Sequence, residues 1–339
     1  MGTLRATHAR RLAERRVNAP LHVAVDARDL ATDWRGIARY VRAVLRNFAR
    51  RDDVFVTLVQ QGHFGMHAPR GADVSWHPWN GTFFASRVPS VVTFHDAVPF
   101  RFPAPDERKR KNEQDPWLRS AATGKLFLAN SRYTVSEIER FLKIPAEKQT
   151  VTYLGVDHAV FAPEGEANVL PDKRPYVLFV GTLEPFKNLP TLLAAHTRAF
   201  PQAEVALVIA GSGPQPDERV HALGVVEPAE LARWYRGARA VAVPSLYECF
   251  GLPLLEAMAC GTPVIASRTP SLEEVGGDAC AWVDDPLDID TWSATLARVL
   301  EDDGERARLA AAGVARAATF TWERCAEETL AVLKRSAQS

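Results

Sequence analysis

Short runs built almost wholly of Val, Leu, Ile, Ala and Phe recur along this chain, and segments of helical period fill the intervals. In the N-terminal half they are 22–26, 54–60, 91–94 and 126–129; in the C-terminal half they are 176–180, 205–210, 240–243, 263–266 and 279–283. A strand that is apolar along its whole length, not at alternate positions, has both faces covered, as in a parallel sheet flanked by helices. Segments 36–50, 134–142, 188–200, 228–237 and 250–260 have the period to supply that cover. The pattern predicts an α/β chain with a doubly wound sheet in each half. At 339 residues and 47% hydrophobic, two cores of ordinary size fit the length. The stretch 162–175, with three prolines and little periodicity, reads as the linker between domains 1–165 and 166–319. Past Glu301 only helical periodicity remains.

Several classes are disfavoured. No apolar run approaches the roughly 18 residues of a membrane span, and the N-terminus lacks the apolar stretch of a signal peptide. Cys249, Cys260, Cys280 and Cys325 show no CxxC spacing, so neither a zinc site nor a disulfide framework is indicated. A cytoplasmic, reduced protein is expected. The 41 basic and 41 acidic side chains balance overall but not locally. Residues 1–170 carry 25 basic and 18 acidic groups, and 171–339 carry 16 and 23. Five arginines lie within 5–16, and Lys109-Arg110-Lys111 form a second basic cluster. Both suit contact with anionic lipid headgroups, or else are solvated surface. No module that reads nucleic acid accompanies the charge.

Open α/β sheets bind ligands beyond the carboxyl ends of their strands, so the loops there carry the chemistry. The segment Pro244-Ser-Leu-Tyr-Glu-Cys-Phe-Gly-Leu-Pro-Leu-Leu-Glu256 leaves one strand, passes Glu248 and enters a helix near Pro253 that Gly261 closes. Glu256 is the one charge among Leu254, Leu255, Ala257, Met258 and Ala259, and a carboxylate in such a setting needs a partner. A ribose diol is one candidate, an internal protein donor another. In Gly181-Thr-Leu-Glu-Pro-Phe-Lys187-Asn188, Asn188 reads as a helix cap and Lys187 as a charge beside amides that favour phosphate. Gly211-Ser-Gly213 reads as a tight turn that lets a ligand near the backbone. In the N-terminal half, Gly36 opens a helix after Arg35, and Phe94-His95-Asp96 places a titratable pair at a strand end. Asn130-Ser131 is either a cap or part of a site.

These strings resemble the retaining GT-B glycosyltransferases of glycosyltransferase family 4, nearest their bacterial mannosyltransferase-like group of O-antigen and capsule assembly. The resemblance covers about residues 20–335, most specifically Glu248-x7-Glu256, the Gly181 motif and Val275-Gly-Gly-Asp278. Val92-Thr-Phe-His-Asp96 and Tyr153-Leu-Gly-Val-Asp157 match weaker features. It implies two Rossmann-like domains facing across a cleft: an acceptor side, 1–165, and a donor side, 166–319. The terminal helix, 320–339 with Trp322, is implied to pack back on the first domain. Glu256 would hold the ribose of a nucleotide sugar. Glu248 would meet the donor sugar's hydroxyls, with Cys249, Phe250, Gly251 and Leu252 lining the donor. Lys187 would neutralise the diphosphate, His95 and Asp96 would lie near the reacting sugar, and Gly36, Gly181 and Gly211 would face donor or acceptor.

The resemblance implies a hexosyltransferase, with mannose from GDP-mannose as the leading donor. The acceptor would be a glycan or lipid-linked glycan in cell-surface polysaccharide or lipopolysaccharide synthesis, at the inner face of the membrane. No cofactor and no metal are implied. The one DxD-like string, Asp288-Ile-Asp290, reads as a helix start. Many relatives carry an arginine where this chain has Thr182 or Phe186, and Arg268 is a candidate replacement. Two other readings remain: a nucleotide-sugar epimerase or hydrolase on the same fold, and a non-catalytic nucleotide-sugar-binding protein.

Overall fold

The computed structural model describes residues 19–31, 36–60, 69–84, 86–213 and 220–338. The arginine-rich segment 5–16, Arg35 and the prolines after Gly213 lie outside the described residues. The chain divides into two compact units. The first comprises residues 1–129, 137–152 and 325–339, and the second 130–136 and 153–324. The main division falls at 152/153, ahead of the proline-rich stretch 162–175.

In the first unit the apolar runs become parallel strands: β1 (Leu21–Asp26), β2 (Val54–Val59), β3 (Val74–His77), β4 (Ser90–Phe94), β5 (Leu126–Ala129) and β6 (Gln149–Val151), in the order β2-β1-β3-β4-β5-β6. Helix α1 (Gly36–Phe48) buries Ala38, Tyr40, Val41, Val44 and Phe48, a stripe at helical spacing. Beyond it come α2 (Val98–Arg101), α3 (Glu107–Thr123) and α4 (Arg132–Leu142). The core under α3 and α4 stacks Phe94 on Trp117 and on Phe127, with ring centroids 5.1 and 5.8 Å apart. Ser131, in the segment 130–136 that belongs to the second unit, caps α4: its Oγ accepts from Thr134 N at 3.0 Å.

The second unit holds β7 (Tyr176–Val180), α5 (Leu189–Ala199), β8 (Ala206–Ala210), β9 (Val220–Gly224), α6 (Pro228–Gly237), β10 (Ala240–Val243), α7 (Leu252–Ala259), β11 (Val264–Ser267), α8 (Pro270–Gly276) and β12 (Cys280–Val283). Helices α9 (Ile289–Glu301), α10 (Asp303–Ala317) and α11 (Trp322–Gln338) follow. Its strands are also parallel, in the order β12-β11-β10-β7-β8-β9. The winding reverses between β7 and β10, which is the switch point of a doubly wound sheet. Asp288 caps α9, accepting from Asp290 N and Thr291 N at 2.9 and 3.1 Å, as a helix start requires. From Cys325 onward α11 belongs to the first unit, where Lys334 Nζ donates to Asp53 Oδ2 at 2.7 Å and Arg335 Nη2 to Thr150 Oγ1 at 3.0 Å.

Three strands escape the sequence pattern, each for a physical reason. β3 reads Val-Ser-Trp-His, yet all four residues are buried; Ser75 Oγ is satisfied by Ser90 Oγ at 2.9 Å. β6 and β9 are sheet edges, where solvent takes one side and no apolar run is needed.

Two glycines fix how the strand-end loops of the second unit meet. Gly181 N donates to Ala210 O at 3.0 Å and Gly211 N to Gly224 O at 2.8 Å, drawing the loops after β7, β8 and β9 together. A Cβ on Gly211 would collide with Gly181 O, at a φ of +154°. Gly211 therefore admits the backbone of Gly181 at close range, which a side chain would prevent. Gly211→Ala is expected to destabilise the protein by more than about 2 kcal/mol. A thermal midpoint within a degree of the parent would contradict this packing.

Candidate functional site

In the second unit, the loops leaving β7 and β10 diverge from adjacent strands, and the residues on them meet. The first makes a short 3-10 turn, Pro185–Lys187, and the second runs from Pro244 to Gly251. Leu246 N donates to Phe186 O at 2.8 Å and ties the two backbones. Asn188, read from sequence as a helix cap, has a left-handed backbone (φ 55°) and makes no side-chain cap. Its amide donates instead to Pro244 O at 3.1 Å and Pro286 O at 2.7 Å, while its Oδ1 accepts from Thr191 Oγ1 at 2.7 Å. One buried side chain so pins the loops after β10 and β12 to the start of α5.

That frame brings Lys187 and Glu248 together. Lys187 Nζ lies 2.5 Å from Glu248 Oε1, and both side chains are largely buried. Lys187 is thus a member of an ion pair. Ser245 Oγ donates to the same Oε1 at 2.9 Å, and Ser271 Oγ donates to Glu248 O at 2.6 Å. Sequence reasoning missed both serines; the only signal was a serine three residues before Glu248.

After Glu248 the chain turns into α7. Gly251 stands at the cap position with φ 99°, where a Cβ would strike Leu272 Cδ2, and Leu252 begins the helix. Cys249 and Phe250 face inward. Cys249 O accepts from Ser131 Oγ at 2.6 Å, and the Phe250 ring meets Phe320 edge-on at 6.0 Å. Glu256 follows on α7, only 2% exposed, with its Oε2 accepting from the Tyr235 hydroxyl at 3.1 Å. The partner that its isolation demanded therefore includes a protein donor. Tyr235 itself reads as core from sequence, because it falls on the apolar face of α6 with Leu231 and Ala232. Arg268, the candidate second cation, is committed to Asp284 and Glu273 at 2.5 and 2.8 Å.

In the first unit the candidate residues also gather at strand ends. Gly36 begins α1. His95 is buried; its Nε2 donates to Pro78 O at 2.9 Å and its ring meets Tyr40 edge-on at 4.8 Å. Burial pushes its pKa down to about 4, against the smaller opposing effect of the Pro78 carbonyl. The ring is neutral at pH 7 and does not titrate near it. Asp96 does not pair with His95 but accepts from Val98 N at 2.9 Å and Asn80 Nδ2 at 3.0 Å, and burial raises its pKa. Asn80 Oδ1 in turn accepts from His95 N at 2.6 Å, so one left-handed residue (φ 61°) braces both.

Beside them sits a cluster that sequence reading did not single out. Asp26 ends β1 and pairs with Arg28 at 2.5 Å, both side chains nearly inaccessible. The Arg28 guanidinium lies over the Phe83 ring. His77 ends the neighbouring β3, and burial, with a smaller effect from Arg28, holds its pKa down near 3. β1 and β3 flank the switch point of this sheet. Among the described residues no group of three or more His, Cys, Asp or Glu side chains is arranged to hold a metal ion. No helix among them is long and apolar enough to cross a membrane.

Comparison with known proteins also gives two parts. Residues 162–316 match the family described as Glycosyl transferases group 1, and residues 71–160 match Glycosyltransferase Family 4. The chain is 36% identical over 269 residues to the O-antigen chain mannosyltransferase B of Escherichia coli, covering 72% of this chain and 70% of that protein. It is 32% identical over 286 residues to a D-inositol 3-phosphate glycosyltransferase of Xylanimonas cellulosilytica, covering 72% and 66%. Among solved structures, a sucrose-phosphate synthase from Thermosynechococcus elongatus matches with a TM-score of 0.74 at 20% identity, over 93% of this chain and 98% of that one. The shared fold is GT-B.

The two buried rings set a pH dependence. His77 and His95 are neutral in the folded chain down to about pH 3 and 4, whereas the unfolded chain protonates them below about 6.5. Their contribution to stability is complete above pH 6.5 and is lost as pH falls toward 4, amounting to about 2 kcal/mol per ring at pH 5. Asp26 and Asp96, with raised pKa values, act in the opposite sense, so variant must be compared with parent. His95→Gln is expected to lose less thermal stability between pH 7 and pH 5 than the parent does. Equal losses would show that the ring titrates normally.

Proposed function

The chain belongs to the glycosyltransferases of family 4, and on that premise we propose that it transfers a hexose from a nucleotide sugar with retention of anomeric configuration. Mannose from GDP-mannose is the leading donor, and a glycan or lipid-linked glycan of the cell surface the acceptor. The observation that carries the reading is the Lys187–Glu248 pair at the switch point of the second sheet, at the entry to the helix that bears Glu256. The name of the Escherichia coli relative supports mannose and an O-antigen acceptor. The inositol-phosphate relatives mark the main alternative acceptor class.

The chemistry asks for few groups. Breaking a sugar–phosphate bond leaves positive charge at the anomeric carbon and negative charge on the departing diphosphate. In this reading Lys187 and the unpaired amides at the start of α7 receive the diphosphate, without a metal. Glu248 accepts hydrogen bonds from the sugar's hydroxyls, and Glu256 takes the ribose diol, exchanging some of its bond with Tyr235. The departing phosphate deprotonates the acceptor hydroxyl on the same face, so no dedicated base is required. His95 then serves as a neutral hydrogen-bonding wall of the acceptor side, with Asp96 and Gly36 nearby in the same unit. Gly181 shapes the loop before Lys187, and Gly211 supports it by close packing.

A site at the cytoplasmic face of the membrane suits a lipid-linked acceptor. Supporting it, the first turns of α3 expose Arg108, Lys109 and Lys111, with Phe102 and Leu118 exposed at either side in sequence. Such a surface attracts anionic headgroups by about 1 kcal/mol per cation.

Thermal stabilisation by a panel of GDP-, UDP-, TDP- and ADP-sugars identifies the donor, with GDP-mannose expected to give the largest shift. Glu256→Ala is expected to weaken binding of that donor by roughly a hundredfold or more, the value of two hydrogen bonds to a charged acceptor. Unchanged affinity by calorimetry would remove Glu256 from the site. Rapid consumption of the donor with no acceptor present would point instead to an epimerase or hydrolase.

A further inference from the structure

The two donors to Glu248 are not equivalent. Lys187 Nζ and Ser245 Oγ both reach Oε1, at 2.5 and 2.9 Å, which leaves Oε2 as the oxygen not bound by either. Lys187 carries three N–H donors on a flexible stem and has a second calling: a diphosphate is the stronger competitor for its charge. Ser245 has one proton and no such freedom. It is buried at 1% exposure on a two-residue step from β10, and its neighbours are fixed, Pro244 O by the Asn188 amide and Leu246 N by Phe186 O. The backbone of Glu248 is held separately, by Ser271 Oγ. The Ser245 hydroxyl thus occupies Oε1 independently of Lys187.

We propose that Ser245 is a positioning residue for the donor sugar: it anchors Glu248 Oε1 so that Oε2 stays aimed at a sugar hydroxyl when Lys187 is drawn to the diphosphate. This rests on the reading of Glu248 as the carboxylate that meets the donor sugar. Two consequences separate it from a packing role. The sugar moiety's contribution to binding, taken as the affinity of a nucleotide sugar relative to its nucleoside diphosphate, depends on residue 245. The affinity for the nucleoside diphosphate alone does not.

The test is calorimetry with GDP and GDP-mannose, and with UDP and UDP-glucose, on the parent, Ser245→Ala, Ser245→Thr, Glu248→Ala and the double Ser245→Ala/Glu248→Ala variant. Ser245→Ala is expected to lower the sugar's contribution by roughly tenfold or more, as loss of a hydrogen bond to a charged group does. The affinity for the diphosphate alone should stay within about twofold, inside the scatter of a neutral substitution. Ser245→Thr, which keeps the hydroxyl, should restore most of the contribution, and the alanine should have no further effect once Glu248 is alanine. Equal weakening of nucleoside diphosphate and nucleotide sugar would overturn the proposal, as would an undiminished effect of Ser245→Ala in the Glu248→Ala background. If Glu248→Ala alone leaves the sugar's contribution intact, the reading of Glu248 fails and the role of Ser245 with it.

Discussion

The placement of β10 beside β7 is the constraint on which the candidate donor site depends. In a parallel sheet every strand delivers its carboxyl end to the same edge, and the reversal of winding at this one pair sends the two following segments apart. The space between their first residues is what a ligand can occupy. Lys187 and Glu248 are 61 residues apart in sequence, yet they meet within hydrogen-bond distance because each leaves one of those two strands. The Asn188 amide and the Leu246–Phe186 bond hold the two loops at that separation.

The polar groups of this site are arranged so that burial is compensated locally. Glu248 has a cation and a hydroxyl, and Glu256 has the Tyr235 hydroxyl. A buried charge without such partners would cost several kcal/mol.

The first unit works by a different means. His77 and His95 are held neutral by burial, and the Asp26–Arg28 pair is enclosed at the switch point of its sheet. Neutral imidazoles and satisfied carboxylates fix hydrogen-bond directions in the interior of this unit.

Much of this was legible in the sequence. The parallel sheets followed from strands apolar on both faces, and the helix start at Pro253 and its end at Gly261 from their backbone preferences, because these are local properties of a dozen residues or fewer. The family could be read from Glu248, Glu256 and the Gly181 motif for the same reason. β3, β6 and β9 could not: β3 buries polar residues that only a neighbouring strand satisfies, and the other two are edges. Nor could the sequence show that Asn188 bridges loops, that Gly211 makes room for Gly181, or that Ser245 and Lys187 share one oxygen of Glu248. Each of those facts joins residues brought together by strand order, and strand order is a property of the assembled sheet. The sequence by itself determined which residues carry charge at strand ends; the tertiary structure decided which of them touch.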